Sequence, residues 1–292
     1  MIEKTLQTKI LKALLEARQH FQGSDAKFAI SIGIGNAQYS RVKNNDTEHV
    51  LSDAHWIRLA RLLEVNLNNE KKWLTANTPV FQFISKQLEV CQANGISSML
   101  CDLSDIGKTH AAKIYARTHK NAVYVDCSQV KSKYRLIKYI AKEFGVGSNG
   151  RYADVYADLV FYLKTLPDPL IIFDEYADLE YSATLETKAL WNAVENHCAF
   201  YVMGADGLEA KMRRNINFKK VGYTELFSRF GKKYGKVIPV GKDEARKVLQ
   251  ATASMIIKAN STGPVNKILA GTMGDDDRPS LRRIYNELTK VH

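Results

Sequence analysis

Apolar and polar positions follow two regimes along this chain. From residue 1 to about 75 the apolar residues keep helical spacing only. Leu6, Ile10, Leu14 and Ala17 mark one helix across Thr5 to Phe21, and Trp56, Leu59, Ala60, Leu62 and Leu63 mark a later one. Between them, in DAKFAISIGIGNAQYSRVKNN, Ala29, Gly33, Ile34 and Val42 have the spacing of a helix-turn-helix. In such a motif a small residue lets two helices cross closely, Gly takes the turn and an apolar residue plugs the core. Ser40 and Arg41 fall on the second helix with Asn36, Gln38 and Lys43 nearby, so Gln38, Ser40 and Arg41 are the candidate DNA contacts here. A helical bundle that binds another protein would carry the same pattern.

Beyond a polar connection at Thr75 to Pro79 the pattern changes to alternation of short apolar runs with amphipathic stretches. The runs predict strands at Ile96 to Cys101, Ala122 to Cys127, 170 to 174, Phe200 to Met203 and Val237 to Val240. Helices are predicted at Val80 to Gln92, after Lys108, and at Lys133 to Phe144, Tyr152 to Thr165 and Thr184 to Asn196. Such alternation specifies an α/β fold, a parallel sheet with helices on both faces. Residues 241–292 read as helices only. The expected organisation is a helix-turn-helix domain at 1–75, a core at 80–240 and a small helical lid at 241–292.

The stretch CDLSDIGKTHAAKIYA, residues 101–116, ends a strand, turns through a tight loop and opens an Ala-rich helix. That is the layout of a phosphate-binding loop: backbone N–H groups wrap phosphates, Lys108 reaches the terminal ones and the Thr109 hydroxyl meets magnesium. Asp105, Ile106, Gly107 and His110 complete the set of nucleotide-binding positions. The pattern G-x-x-x-x-G-K-[ST] wants Gly where Asp102 stands. A carboxylate there either repels phosphate or caps the loop.

Pro169-Leu170-Ile171-Ile172-Phe173-Asp174-Glu175 is an apolar run that ends in paired carboxylates, the mark of a buried parallel strand delivering its chemistry at the carboxyl edge of a sheet. Asp174 would hold magnesium, directly or through water, and Glu175 would polarise a water for attack on the γ-phosphate. The two motifs, in this order and at this separation, point to an ATP-binding protein with ATP and Mg2+ as cofactors.

Charge extends the picture. The formal net charge is +11, which favours a polyanionic partner, most simply nucleic acid. Between Lys211 and Lys236 nine basic residues share a stretch in which Glu225 is the only acid, with aromatics interleaved. No apolar run approaches the ~20 residues of a membrane span, and the N-terminus lacks an apolar signal core, so a cytoplasmic protein with no membrane partner is expected. Cys91, Cys101, Cys127 and Cys198 are scattered and read as small buried hydrophobes rather than disulfides or zinc ligands.

With these motifs placed, the first 60 or so residues resemble the DNA-binding fold of phage repressors of the Cro and lambda kind. The whole chain resembles the Mu B-like transposition ATPases, AAA+ P-loop proteins related to the TnsC and IstB group. The resemblance is carried by GKTHAAKIYAR, LIIFDEYADL, YVMGADGLEAKM, ELFSRFGKKYGK and RPSLRRIYNEL. It implies that Arg229 is an arginine finger reaching a neighbouring subunit's nucleotide, with Arg213 or Arg214 next in line. It also implies that Arg282, with Arg283 as alternative, is the lid's phosphate sensor. Lys131, Lys133 and Arg135, with Arg151, are the implied DNA phosphate contacts. Where the family places a polar residue after the fourth strand this chain has Ala205, with Asp206 one position late. Together with Asp102 this departure predicts slow ATP hydrolysis.

The function so implied is an ATP-dependent DNA-binding regulator of DNA transposition. An ATP-bound homo-oligomer, a ring or helical filament, would assemble on double-stranded DNA largely without sequence preference and activate a transposase. A helicase loader shares the core, and a nucleotide-sensing helix-turn-helix repressor shares the two-part layout.

Overall fold

The computed structural model describes residues 4–63, 65 and 73–289. The chain next to the expected boundary at 75 (residues 64 and 66–72) and the termini (1–3 and 290–292) lie outside the described residues.

The chain opens with α1 (Lys4–His20), α2 (Asp25–Ile32), α3 (Asn36–Lys43) and α4 (Asp53–Leu62). Ser24 and Ser52 cap α2 and α4 by accepting the N–H groups of Lys27 and His55. Gly33 ends α2 at φ 74°, a conformation that costs Gly nothing, and the Ile34 N–H turns back to the Ala29 carbonyl at 3.0 Å. The apolar stripes of the four helices close on Ile10, Leu14, Phe28, Tyr39, Val42, Trp56 and Leu59.

The α/β part runs α5 (Pro79–Asn94), β1 (Ser98–Cys101), α6 (Lys108–Thr118), β2 (Ala122–Asp126), α7 (Lys133–Glu143), α8 (Tyr152–Thr165), β3 (Leu170–Asp174), α9 (Tyr181–Ala193), β4 (Ala199–Gly204), α10 (Asp206–Asn217) and α11 (Tyr223–Arg229). All strand pairs are parallel, in the order β1-β4-β3-β2. Side-chain alternation explains why the strands read as continuous apolar runs. Leu170, Ile172, Tyr201 and Met203 pack on one face under α5 and α6, whereas Ile171, Phe173, Phe200 and Val202 pack on the other under α7 to α11.

The expected strand at Val237 to Val240 does not form. A single parallel bridge joins Gly235 to Leu100, after which the N–H groups of Val237 and Ile238 turn to a side chain instead of a strand. Pro239 then interrupts any ladder and Val240 is exposed. The first strand starts two residues later than expected because Gly95 ends α5 in the left-handed region and the Ser97 hydroxyl accepts the N–H groups of Trp191 and Phe200. The fifth helix of the core, expected at Thr184 to Asn196, begins at Tyr181 and closes at Ala193.

The last helices are α12 (Lys242–Asn260), α13 (Val265–Gly271) and α14 (Leu281–Thr289), with one antiparallel bridge between Met273 and Pro279. They are tied to the connection before α5: the Asn260 amide exchanges hydrogen bonds with the Leu74 backbone, and Trp73 packs on Tyr285 with ring centres 4.9 Å apart. The first bundle leans on α7 and α8, where the Lys27 ammonium lies 3.3 Å from the centre of the Tyr162 ring. All four cysteines are buried and unpaired. Among the described residues no helix is long and apolar enough to cross a membrane.

Candidate functional site

Parallel pairing brings the carboxyl ends of the strands into line, with Cys101 opposite Gly204 and Asp126 opposite Asp174. The residues that follow β1, β3 and β4 therefore share one edge, the usual place for a site in an open α/β sheet.

The loop after β1 winds through Asp105 at φ 57° and Gly107 at φ 96° before α6 begins at Lys108. Lys108 is buried, and its ammonium donates to the carbonyl oxygens of Leu103 and, at 3.0 Å, Asp102. Burial pulls its pKa down, while the carboxylates of Asp102, Asp174, Glu175 and Asp206 act in the opposite direction. Thr109 Oγ1 donates to Asp174 Oδ2 at 2.6 Å, which joins the loop to the acidic strand end. A residue missed in the sequence, Tyr124 on β2, donates its hydroxyl to the same oxygen at 2.9 Å. Asp174 Oδ1 accepts the Glu175 N–H at 2.9 Å, so the buried carboxylate is fixed at both oxygens. Glu175 stands exposed beside it at φ 48°; partial desolvation first, then the Asp174 charge, raise its pKa.

Asp102 caps rather than lines the loop. Oδ1 accepts the Leu103 N–H at 2.7 Å, and Oδ2 accepts the N–H groups of Val237 and, at 2.9 Å, Ile238. Its side chain is thus turned into the protein, where three N–H donors compensate its charge. Ile106 is buried in the core and offers the loop only its backbone. The His110 ring shares a 3.0 Å hydrogen bond with Thr75. Ala205 precedes α10 and brings no polar side chain, and Asp206, exposed in the first turn, acts on Lys108 through its charge alone.

Two arginines sit on different borders. Arg282, in the first turn of α14, holds its guanidinium Nε 4.0 Å from Asp105 Oδ1, with the side chain 86% exposed. Arg283 instead donates to the Met273 carbonyl at 2.7 Å, so of the two candidates Arg282 is the one beside the loop. Arg229 ends α11 away from these groups, stacked 5.1 Å from the Trp191 ring centre and donating to Asn192 at 2.8 Å.

Several of the expected DNA contacts have other work. The Gln38 side chain accepts the Gly35 N–H at 3.0 Å and donates to the Val50 carbonyl at 3.2 Å, so its amide is engaged at the start of α3. Arg41 pairs with Asp46 at 2.7 Å, and Ser40 is exposed. Lys133 lies between the rings of Tyr134 and Tyr152, 5.4 Å from each centre. Lys131, Arg135 and Arg151 are exposed, and the Lys131 carbonyl accepts the Glu180 N–H, which joins the loops after β2 and β3. The basic stretch 211–236 is partly neutralised: Glu209, just before it, pairs with both Arg213 and Lys236, and Lys211 caps the carbonyls of Ala177 and Leu179.

The groups present suit a nucleotide with its magnesium ion. Left-handed backbone at Asp105 and Gly107 folds the loop tightly, a buried ammonium stands at its base, and one hydroxyl and one carboxylate meet beside it. Among the described residues no cluster of three or more His, Cys, Asp or Glu side chains offers a self-sufficient metal site. Magnesium fits this arrangement, because it needs one or two protein oxygens and takes the rest from phosphate and water.

Residues 97–212 match the AAA domain family. The chain is similar to the Mu-like prophage FluMu DNA transposition protein B of Haemophilus influenzae, 26% identical over 223 residues that cover 74% of this chain and 76% of that protein. A solved structure of the Aeropyrum pernix ORC1 protein in complex with DNA is similar at 15% identity and a TM-score of 0.46, over 75% of this chain and 66% of that one.

Proposed function

We propose that this chain is a Mu B-like AAA+ ATPase, an ATP-dependent regulator of DNA transposition in the cytoplasm. In this reading it assembles as a ring or helical filament on double-stranded DNA and activates a transposase. The observation that carries the nucleotide part is the 2.6 Å hydrogen bond between Thr109 and Asp174, which makes one site of the loop and the acidic strand end. Lys108 would meet the terminal phosphates, with Thr109 and Asp174 holding the cation. Magnesium, when bound, would neutralise charge on the phosphate oxygens. Glu175 would orient the attacking water: it projects from the end of β3, and its raised pKa makes it a better proton acceptor. The net charge of +11 and the exposed Lys131, Arg135 and Arg151 support binding through DNA phosphates, which makes affinity strongly salt-dependent. The similarity to a transposition protein supports the transposase as client.

Electron microscopy of the protein with DNA, comparing ATP with ADP, tests the proposal. ATP-dependent rings or filaments on DNA of unrelated sequence are the expected result. Sequence-specific footprints with no polymer would overturn it and favour a repressor.

A further inference from the structure

Asp105 is an unexpected residue for a loop that receives phosphate. Its positive φ suits Gly better, and its carboxylate adds a negative charge where an anion is to bind. The structure shows what that carboxylate touches. Oδ2 accepts the Ser280 hydroxyl at 2.8 Å and lies 3.5 Å from the Arg282 N–H, while the Arg282 Nε is 4.0 Å from Oδ1. Leu281 closes the contact, one of its methyl carbons 3.8 Å from where a Cβ on Gly107 would stand. Ser280 in turn opens α14: its hydroxyl accepts the Arg283 N–H at 3.2 Å and its carbonyl accepts the Ile284 N–H at 3.0 Å.

Two residues of the lid, Ser280 and Arg282, therefore meet the loop at one carboxylate, and Leu281 between them lies against Gly107. We propose that Asp105 is a positioning residue, an internal latch that clamps the first turn of α14 onto the phosphate-binding loop before nucleotide arrives. The carboxylate occupies the helix start and the Arg282 side chain that a terminal phosphate would otherwise engage. Binding of a nucleoside triphosphate then requires an exchange of partners at Arg282, and the lid reports that exchange. The idea rests on reading residues 102–109 as a phosphate-binding loop, but the contacts of Asp105 with Ser280 and Arg282 do not.

Hydrogen exchange of the α14 amides in the nucleotide-free full chain tests it. Asp105→Asn and Asp105→Gly both tolerate positive φ and remove the charge, so exchange at residues 283–286 is expected to rise about tenfold, the factor for one hydrogen bond to a charged group. Ser280→Ala removes the same contact from the lid side, together with the acceptor of the Arg283 N–H, and is expected to raise exchange at residues 284–286 as well. Unchanged exchange in the Asp105 variants, or faster exchange in them without any change in Ser280→Ala, overturns the latch. Binding of a fluorescent ATP analogue is a separate arm. The Asp105 variants should bind several-fold more tightly, because repulsion and competition for Arg282 both disappear; weaker binding there would overturn the exchange of partners. Absence of binding in the wild-type protein would defeat the nucleotide reading itself, whatever the exchange result.

Discussion

The carboxylate of Asp102 and the backbone N–H of Ile238 are hydrogen-bonded at 2.9 Å across 136 residues of sequence. The residue that departs from the phosphate-loop pattern is therefore a fastener between the sheet and the segment that leads into the lid. Asp102→Gly would restore the common loop residue and yet leave the N–H groups of Val237 and buried Ile238 without an acceptor. The expected loss is about 2–4 kcal/mol, read from urea denaturation. Asp102→Asn keeps one acceptor oxygen and should lose less. Equal stability of the Gly variant would show that these contacts contribute nothing.

Lys108 and Glu175 should separate binding from turnover. Lys108→Ala removes the charge facing the phosphates, and ATP affinity should fall at least about 100-fold. Glu175→Gln keeps the shape but not the base, so ATP affinity should stay within about threefold while hydrolysis falls by about 100-fold or more. Calorimetric titration and a phosphate-release assay distinguish the two. Glu175→Gln turning over at the wild-type rate would remove that residue from its role.

Arg229 contacts Trp191 and Asn192, and the family resemblance makes it the candidate to act on a neighbouring subunit's nucleotide. Arg229→Ala should remain folded and bind ATP, but neither polymerise nor hydrolyse normally. Mixed with Glu175→Gln it should regain activity, because mixed interfaces unite one intact finger with one intact acidic site. Sedimentation and ATPase assays of the mixture decide it; normal ATP-dependent polymers of Arg229→Ala alone would make the residue structural and shift attention to Arg213 or Arg214.

At the end of α7, burial raises Glu143 from the usual value of 4.5 to about 7, against the lowering effect of Lys142. Between those two values the folded protein holds a proton that the unfolded chain has released. Stability should therefore fall as pH rises from about 4.5 to about 7 and level off above. Glu143→Gln should flatten that part of the profile in thermal melts, and an unaltered slope would place its origin elsewhere.

Strand positions and the edge that gathers Lys108, Asp174 and Glu175 were legible in the sequence because a strand buried on both faces has no polar positions to obscure it. What stayed hidden was long-range. Neither the bonds of Asp102 to Val237 and Ile238 nor the approach of Ser280 to Asp105 leaves a local trace, since each pair is separated by more than 130 residues. Val237 to Val240 has the composition of a strand, but a single carboxylate took the N–H groups that a ladder needs. Gln38 looked available for DNA because its type fits that use, while its amide serves the start of its own helix. Tyr124 looked like one more apolar strand residue, and only the register of β2 against β3 brings its hydroxyl to Asp174.

The position of β1 fixes the order in which the chain can finish itself during synthesis. The first bundle draws its core from residues 10–60 and can close as soon as they leave the ribosome. β2 and β3 are adjacent in sequence order and can pair next. β1 is made before either, yet its strand partner among the described residues is β4, and its loop is not fastened until Ile238 is present. Contacts of such sequence separation form late, because chain closure must precede any gain from them. A nascent chain therefore carries its first bundle folded, and its phosphate-binding loop unfastened, until Ile238 has been made.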